Sequence, residues 1–160
     1  MAAIKGKDTK PEMLVRRYLH SRGLRFRLHR KDLPGRPDIV LPRYCTAIFI
    51  NGCFWHGHWG CRYYRLPKTN VAFWEEKIER NRARDRRNYN LLGEQGWRVL
   101  VIWECDLRRA ADRARLLESL YQDITRPDAW KHVFIDISPS PAAAPPAIAA
   151  EPAPGYGKEE

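Results

Sequence analysis

The chain of 160 residues carries 29 Lys and Arg against 19 Asp and Glu, a net charge of +10, with 12 prolines and four cysteines. That length suits one domain able to bury its own core, and the lack of a run of about 18 apolar residues or of an apolar signal core argues against a membrane span and secretion. A basic cytosolic protein is expected, with nucleic acid as the leading polyanionic partner and with cysteines that bind metal more readily than they form disulfides.

Thr9-Lys10-Pro11-Glu12 reads as a capping box: the Thr hydroxyl accepts from the backbone at Glu12, Pro11 suits a first turn, and Glu12 reaches back. The helix it opens has an apolar stripe of Leu14, Val15, Tyr18 and Leu19 and a stop at Gly23. Leu24, Phe26 and Leu28 then alternate with Arg25, Arg27 and His29, the period of a strand with one buried and one basic face. Pro34-Gly35-Arg36-Pro37 turns the chain into two apolar strands, Asp38 to Leu41 and Ala47 to Ile50. Between Asn51 and Asn70 runs a polar, aromatic connection of a length that is usually functional or disordered. A long helix is expected over Val71 to Glu94, ending at Gly96; a central strand over Val99 to Trp103; and a last helix over Ala111 to Tyr121. This order predicts an α/β sheet with helices on its faces. Residues 138–160 hold six of the prolines among alanines and are expected to form a disordered tail. With one Lys and three Glu, the tail leaves residues 1–137, the expected domain, at +12.

Two cysteines and two histidines fall within the nine residues Cys53 to Cys61, and Cys105 follows the central strand. Cys53, His58, Cys61 and Cys105 suit a closed, tetrahedral and therefore structural zinc site; the plain alternative is unligated thiols with surface histidines. Cys45 is then spare, with a small core residue as its expected role. His56 is left over. The long helix carries Trp74, Ile78, Asn81, Asp85 and Leu92 at helical spacing, with Asn81 and Asp85 where apolar residues belong. Asp85 is thus a candidate to orient His56 as a general base, unless it merely pairs with Arg82 or Arg86.

Asp38, after Arg36-Pro37, is either a turn residue or the first half of a nuclease signature whose carboxylate binds Mg²⁺. The usual Glu-x-Lys on the next strand is missing. Ile48-Phe49-Ile50-Asn51 stands there instead, so a metal would need a backbone carbonyl and waters, and the base must come from elsewhere, with His56 well placed. Phe54, Trp55 and Trp74 are three large rings around a polar loop, near Arg80, Arg82, Arg84, Arg86 and Arg87. In a basic protein such rings can wedge between base pairs while cations hold the phosphates; the Arg run can equally be a solvated helix face. Trp97 and Trp103 are expected in the core.

Together these blocks resemble a known family. Gly6 to Glu12, Arg25-Phe26-Arg27-Leu28-His29, Leu33-Pro34-Gly35-Arg36-Pro37-Asp38-Ile39-Val40, Gly52-Cys53-Phe54-Trp55-His56-Gly57-His58, Phe73-Trp74-Glu75-Glu76-Lys77-Ile78, Asn81 to Asp85, Gly96 to Leu100 and Trp103-Glu104-Cys105 are similar, in order, to the very-short-patch-repair (Vsr) endonucleases. The match covers about residues 4–108. The resemblance implies a restriction-endonuclease-like mixed sheet flanked by helices, a structural Zn²⁺, and Mg²⁺-dependent nicking of double-stranded DNA 5′ of the thymine in a T·G mismatch, the product of 5-methylcytosine deamination. By position it implies Asp38 and the Ile50 carbonyl as Mg²⁺ contacts, His56 as general base, Asp85 as its orienting partner and Glu12 as a supporting acid. It further implies Phe54, Trp55 and Trp74 as the intercalating wedge, and Cys53, His58, Cys61 and Cys105 as zinc ligands. A monomer in the bacterial cytoplasm at the nucleoid is expected, functionally linked to a cytosine-5 DNA methyltransferase and to mismatch-repair proteins such as MutL.

The chain departs from the family pattern in three places: Trp59 and Gly60 separate His58 from Cys61 where one residue is usual, Asn51 stands where His often does, and the tail after Ser138 has no counterpart in the family. The competing readings are a catalytically inactive, zinc-stabilised DNA-binding module, which needs neither Asp38 nor His56, and an RNA-binding protein.

Overall fold

The computed structural model describes residues 6–126 and 134–136. Helix α1 (Lys10–Ser21) starts at Thr9, whose Oγ1 accepts from the Glu12 N–H at 3.4 Å. It stops at Gly23, where φ is +78° and where the Gly23 and Leu24 N–H groups return to the carbonyls of His20 and Leu19. Those two bonds satisfy otherwise orphaned helix carbonyls, and Leu24 folds back into the core beside Leu19.

Five strands follow: β1 (Arg27–Leu28), β2 (Ile39–Leu41), β3 (Thr46–Asn51), β4 (Arg98–Trp103) and β5 (Phe134–Asp136), which lie in the sheet in chain order. β1, β2 and β3 pair antiparallel through short connections, whereas β3, β4 and β5 are parallel. Parallel neighbours need a crossover. Helix α2 (Val71–Glu94) lies between β3 and β4, and α3 (Ala110–Thr125) between β4 and β5. The result is a mixed α/β sheet carrying three helices.

Alternate residues of the central strands point to opposite faces, and both faces are dry. Ile39, Leu41, Ile48, Leu100 and Ile102 pack with Val15 and Leu19 of α1 and with Leu116, Leu120 and Ile124 of α3. On the other side Val40, Ala47, Phe49, Val99 and Val101 pack with Leu92 of α2, while Tyr89, Trp97 and Trp103 close the edge.

The elements expected from the pattern are present, with differences. The strand expected from Leu24 to His29 shrinks to two residues, because Leu24 belongs to the α1 cap and His29 turns the chain at φ +46°. Leu28, placed on its buried face, is 41% exposed at the sheet edge. Helix α3 runs past Tyr121 because Ile124 adds another buried position. Cys45, expected in the core, is half-buried at φ +43°, ending a 3-10 turn with its thiol directed at the Pro42 carbonyl. β5 was not expected: three residues carry too little periodicity to announce a strand. The expected tail, residues 138–160, lies outside the described residues. No helix among the described residues is long and apolar enough to cross a membrane.

Leu120 is fully buried between α3 and the sheet. Leu120→Ala is expected to lower unfolding stability by about 2–5 kcal/mol, read as a lower denaturant midpoint at unchanged slope.

Candidate active site and metal centre

A cleft of about 620 Å³ opens beside the ends of β2 and β3, and His29, Asp38, Ile50, Trp55, His56 and Glu104 are among its lining. Asp38 immediately precedes β2. Pairing of Ile39 with Ile48 carries it alongside the end of β3, where its Oδ2 accepts from the Ile50 N–H at 2.7 Å. Its Oδ1 lies 4.0 Å from His29 Nδ1. Burial is the main influence on this carboxyl and pushes its pKa up to about 6, against the opposing hydrogen bond from Ile50. Asp38 is therefore a sheltered carboxylate, held at one oxygen by backbone, with no Lys or Arg paired to it among the described residues.

His56 reaches the same cleft from the loop after β3. Its Nδ1 lies 2.5 Å from Asp85 Oδ2 on α2, and the same carboxylate also meets Arg84 at 3.3 Å. The carboxylate keeps the proton on Nδ1 and leaves Nε2 as the basic nitrogen. Asn81, one turn before Asp85, donates to the Trp55 carbonyl at 2.9 Å. The two polar residues on the buried stripe of α2 thus both hold the loop. Gly57 lets them do so: its φ is +59°, and a Cβ there would come within 2.7 Å of Ile78 and 2.8 Å of Arg82.

Glu12 is 2% exposed. Its carboxylate, expected to reach back along the capping box, turns inward to pair with Arg16 and lies 2.9 Å from His29 Nε2. His29 consequently stands between Glu12 and Asp38, a position that sequence reading missed. The alternation of Leu24 to His29 had assigned it to a basic strand face, and only the turn at φ +46° swings it into the cleft. Asp8 converges on the same spot, with the Arg16 guanidinium already seated among these groups as their cation.

Cys53, His58, Cys61 and Cys105 bring one ligand atom each within 4.8 Å of one another. This set can hold a metal ion. Cys53 follows β3 and Cys105 follows β4, strands whose parallel register sets Asn51 opposite Trp103. His58 stacks on Trp103 at 4.0 Å and nearly parallel, which orients its Nδ1, 3.4 Å from Cys105 Sγ. Hydrogen bonds from Cys105 and His58 hold the Cys53 thiol well below the usual range, and the same pairing pushes Cys105 up. Four donors sharing protons in a partly buried space are chemically what a thiophilic cation replaces. The additional residue before Cys61 does not displace it, since Gly60 takes up the turn at φ +72°.

Phe54, Trp55 and Trp74 form one half-exposed cluster with centroids 5.1–6.1 Å apart. Within the Arg run, Arg80 pairs with Glu76, Arg82 with Glu79 and Arg84 with Asp85, so it is partly neutralised by its own helix.

The sequence model of the family described as DNA mismatch endonuclease Vsr matches residues 1–62. The type II nicking enzyme V.XorIIP of Xanthomonas oryzae pv. oryzae is 56% identical over 107 residues, which are 67% of this chain and 78% of that relative. The type II nicking enzyme V.NmeAIP of Neisseria meningitidis is 45% identical over 124 residues, 78% of this chain and 88% of the relative. The DNA mismatch endonuclease Vsr of Escherichia coli is 48% identical over 108 residues, 68% and 69% respectively.

Because the folded-state pKa of Asp38 lies above its ordinary value, the folded state is favoured while the group is protonated and loses that advantage as pH rises through about 6. In metal-free protein, Asp38→Asn is expected to gain on the native chain by about 3 kcal/mol at about pH 8, and the gap is expected to close towards about pH 4. Denaturant titrations of both proteins across this range check it, and a gap independent of pH contradicts it.

Proposed function

This chain belongs to the Vsr family of DNA mismatch endonucleases and is a DNA endonuclease, and from that premise we propose that it nicks duplex DNA 5′ of the thymine in a T·G mismatch, with a restriction-endonuclease-like unit over residues 1–137. The observation that carries the mechanism is the convergence of Asp38 and the Asp85-held His56 on one cleft.

In this reading His56 Nε2 takes a proton from water as the water oxygen attacks phosphorus in line. Asp85 holds the ring and stabilises the imidazolium that results. The bond from phosphorus to the 3′ oxygen breaks, leaving a 3′-hydroxyl and a 5′-phosphate. Asp38 and the Ile50 backbone carbonyl would hold Mg²⁺, and a sheltered carboxylate with no Lys or Arg partner among the described residues fits a site for a hard cation. When bound, Mg²⁺ supplies Lewis-acid stabilisation of the charge developing on the phosphate and on the leaving oxygen. Glu12 acts through His29, keeping that ring beside Asp38. Phe54, Trp55 and Trp74 enter the duplex at the mispair, the kind of insertion that unstacks and kinks DNA.

Cys53, His58, Cys61 and Cys105 would together hold Zn²⁺, and four protein donors would make the ion structural. It ties the loop bearing His56 and two of the wedge residues to the ends of β3 and β4. A non-catalytic binding module has no use for the pairing of His56 with Asp85. The enzyme acts as a monomer on bacterial nucleoid DNA, downstream of a cytosine-5 DNA methyltransferase and alongside mismatch-repair proteins such as MutL.

Labelled duplexes differing only in one T·G or T·A pair, in a 5′-CTWGG-type context (W is A or T), test the proposal with and without Mg²⁺. Mg²⁺-dependent nicking of the T strand in the mismatched duplex alone is expected. His56→Ala and Asp38→Asn should each lose at least about 100-fold in nicking while still binding the mismatch, and near-normal turnover in either sinks the assignment. Stripping metal with a strong thiophilic chelator should cooperatively unfold the loop and lower the melting temperature, whereas Cys45→Ser should leave metal content unchanged. Retention of full stability after complete metal removal rejects the zinc site.

A further inference from the structure

Among the described residues, the most exposed large apolar side chain is Phe73, 56% accessible in the first turn of α2, beside Val71 at 40%. A ring so placed adds little to the core, and nothing in the hydrolytic cleft uses it. It is not isolated. Phe73 meets Trp74 edge-on at 5.4 Å, and Trp74 meets Phe54 at 5.5 Å and Trp55 at 6.1 Å. The ammonium of Lys77, one turn along the helix, lies 5.7 Å from the Phe73 centroid, 5.3 Å from Trp74 and 5.5 Å from Trp55. Three of these four rings therefore share one cation, and Phe73 is the most exposed of the four.

We propose that Phe73 is a further DNA-contacting residue, seated against a base or deoxyribose next to the step that Phe54, Trp55 and Trp74 open. The inference rests on the wedge reading of those three rings and extends it by one position. Charge selects the occupant: an apolar surface with an ammonium in its midst, on a chain of +10, suits a polyanion that also offers stackable faces, not a second basic copy of this chain. Duplex DNA supplies both features, and it is the substrate class of the family. Position supports it too, because Phe73 directly precedes Trp74, so a helix turn that seats one ring at the mispair carries the other to its rim.

Fluorescence anisotropy of the full chain without Mg²⁺, on T·G and T·A duplexes bearing 2-aminopurine on one side or the other of the mispair, tests the proposal. Phe73→Ala should weaken binding to the T·G duplex at least about fivefold, the low end for one stacked ring. It should also remove the 2-aminopurine change on one side only, with an unchanged melting temperature because the ring is exposed. Phe73→Tyr should retain binding, and Phe73→Leu should fall between. Binding and 2-aminopurine signals that match the native chain in Phe73→Ala overturn the proposal, as does a loss of affinity that tracks a loss of thermal stability. Trp74→Ala in parallel separates the two possible failures. If it weakens binding while Phe73→Ala does not, the wedge stands without Phe73; if neither variant changes binding, the wedge reading falls as well.

Discussion

The parallel pairing of β3 with β4 is the constraint from which the site follows. Its register sets Asn51 opposite Trp103, so both strands end at the same edge, and the chain leaves each of them towards a cysteine two residues on. Parallel strands bring their carboxyl ends together, which is where open α/β sheets collect their ligands. Cys53 and Cys105 become neighbours by that register alone, and the loop between β3 and α2 then has an anchored end. Trp103, the last residue of β4, completes the arrangement by stacking on His58.

From this edge the loop is drawn across to α2. Asp85 and Asn81 grip it at His56 and at the Trp55 carbonyl, and Gly57 allows the contact distance that those bonds require. A histidine on a free loop samples many positions. Here one ring nitrogen is fixed to a carboxylate on a helix of 24 residues, and rigid elements hold a reactive geometry more closely than loops do. Two of the sheltered carboxylates are paired with cationic partners: Glu12 has Arg16 and His29, and Asp85 has His56 and Arg84. Asp38 has backbone at one oxygen and a distant imidazole at the other, and burial raises its pKa by more than those partners lower it.

The loop and α2 together present two different surfaces. The cleft is partly sheltered and gathers His29, Asp38 and His56. The aromatic cluster, with Lys77 among its rings, is apolar and half-exposed at the start of the helix. Keeping such rings in water is unfavourable for an isolated domain, which is why a surface of this kind signals a partner. One helix carries both Asp85 and Trp74, so the rings are held in a fixed relation to the His56 imidazole.

Much of this was legible in the amino-acid sequence, where local periodicity speaks directly. α1 with its Thr9 cap, α2 from Val71 to Glu94 and the apolar run Val99 to Trp103 of β4 follow from 3.6-residue and continuous apolar patterns, and Asn81 and Asp85 stood out as polar residues on an apolar stripe. The four Cys and His donors were recognisable because their side-chain chemistry is rare and their spacing tight. What the sequence by itself determined is therefore what depends on neighbours within a turn or on scarce side chains. The tertiary structure alone decided that β1 would be a two-residue edge, that β5 would pair with β4, that Cys45 would sit at a turn, and that His29 would leave a strand face to stand between Glu12 and Asp38. Each of these depends on groups distant along the chain, and a backbone angle such as the φ of His29 is set by the packing that closes around it, which no local pattern encodes.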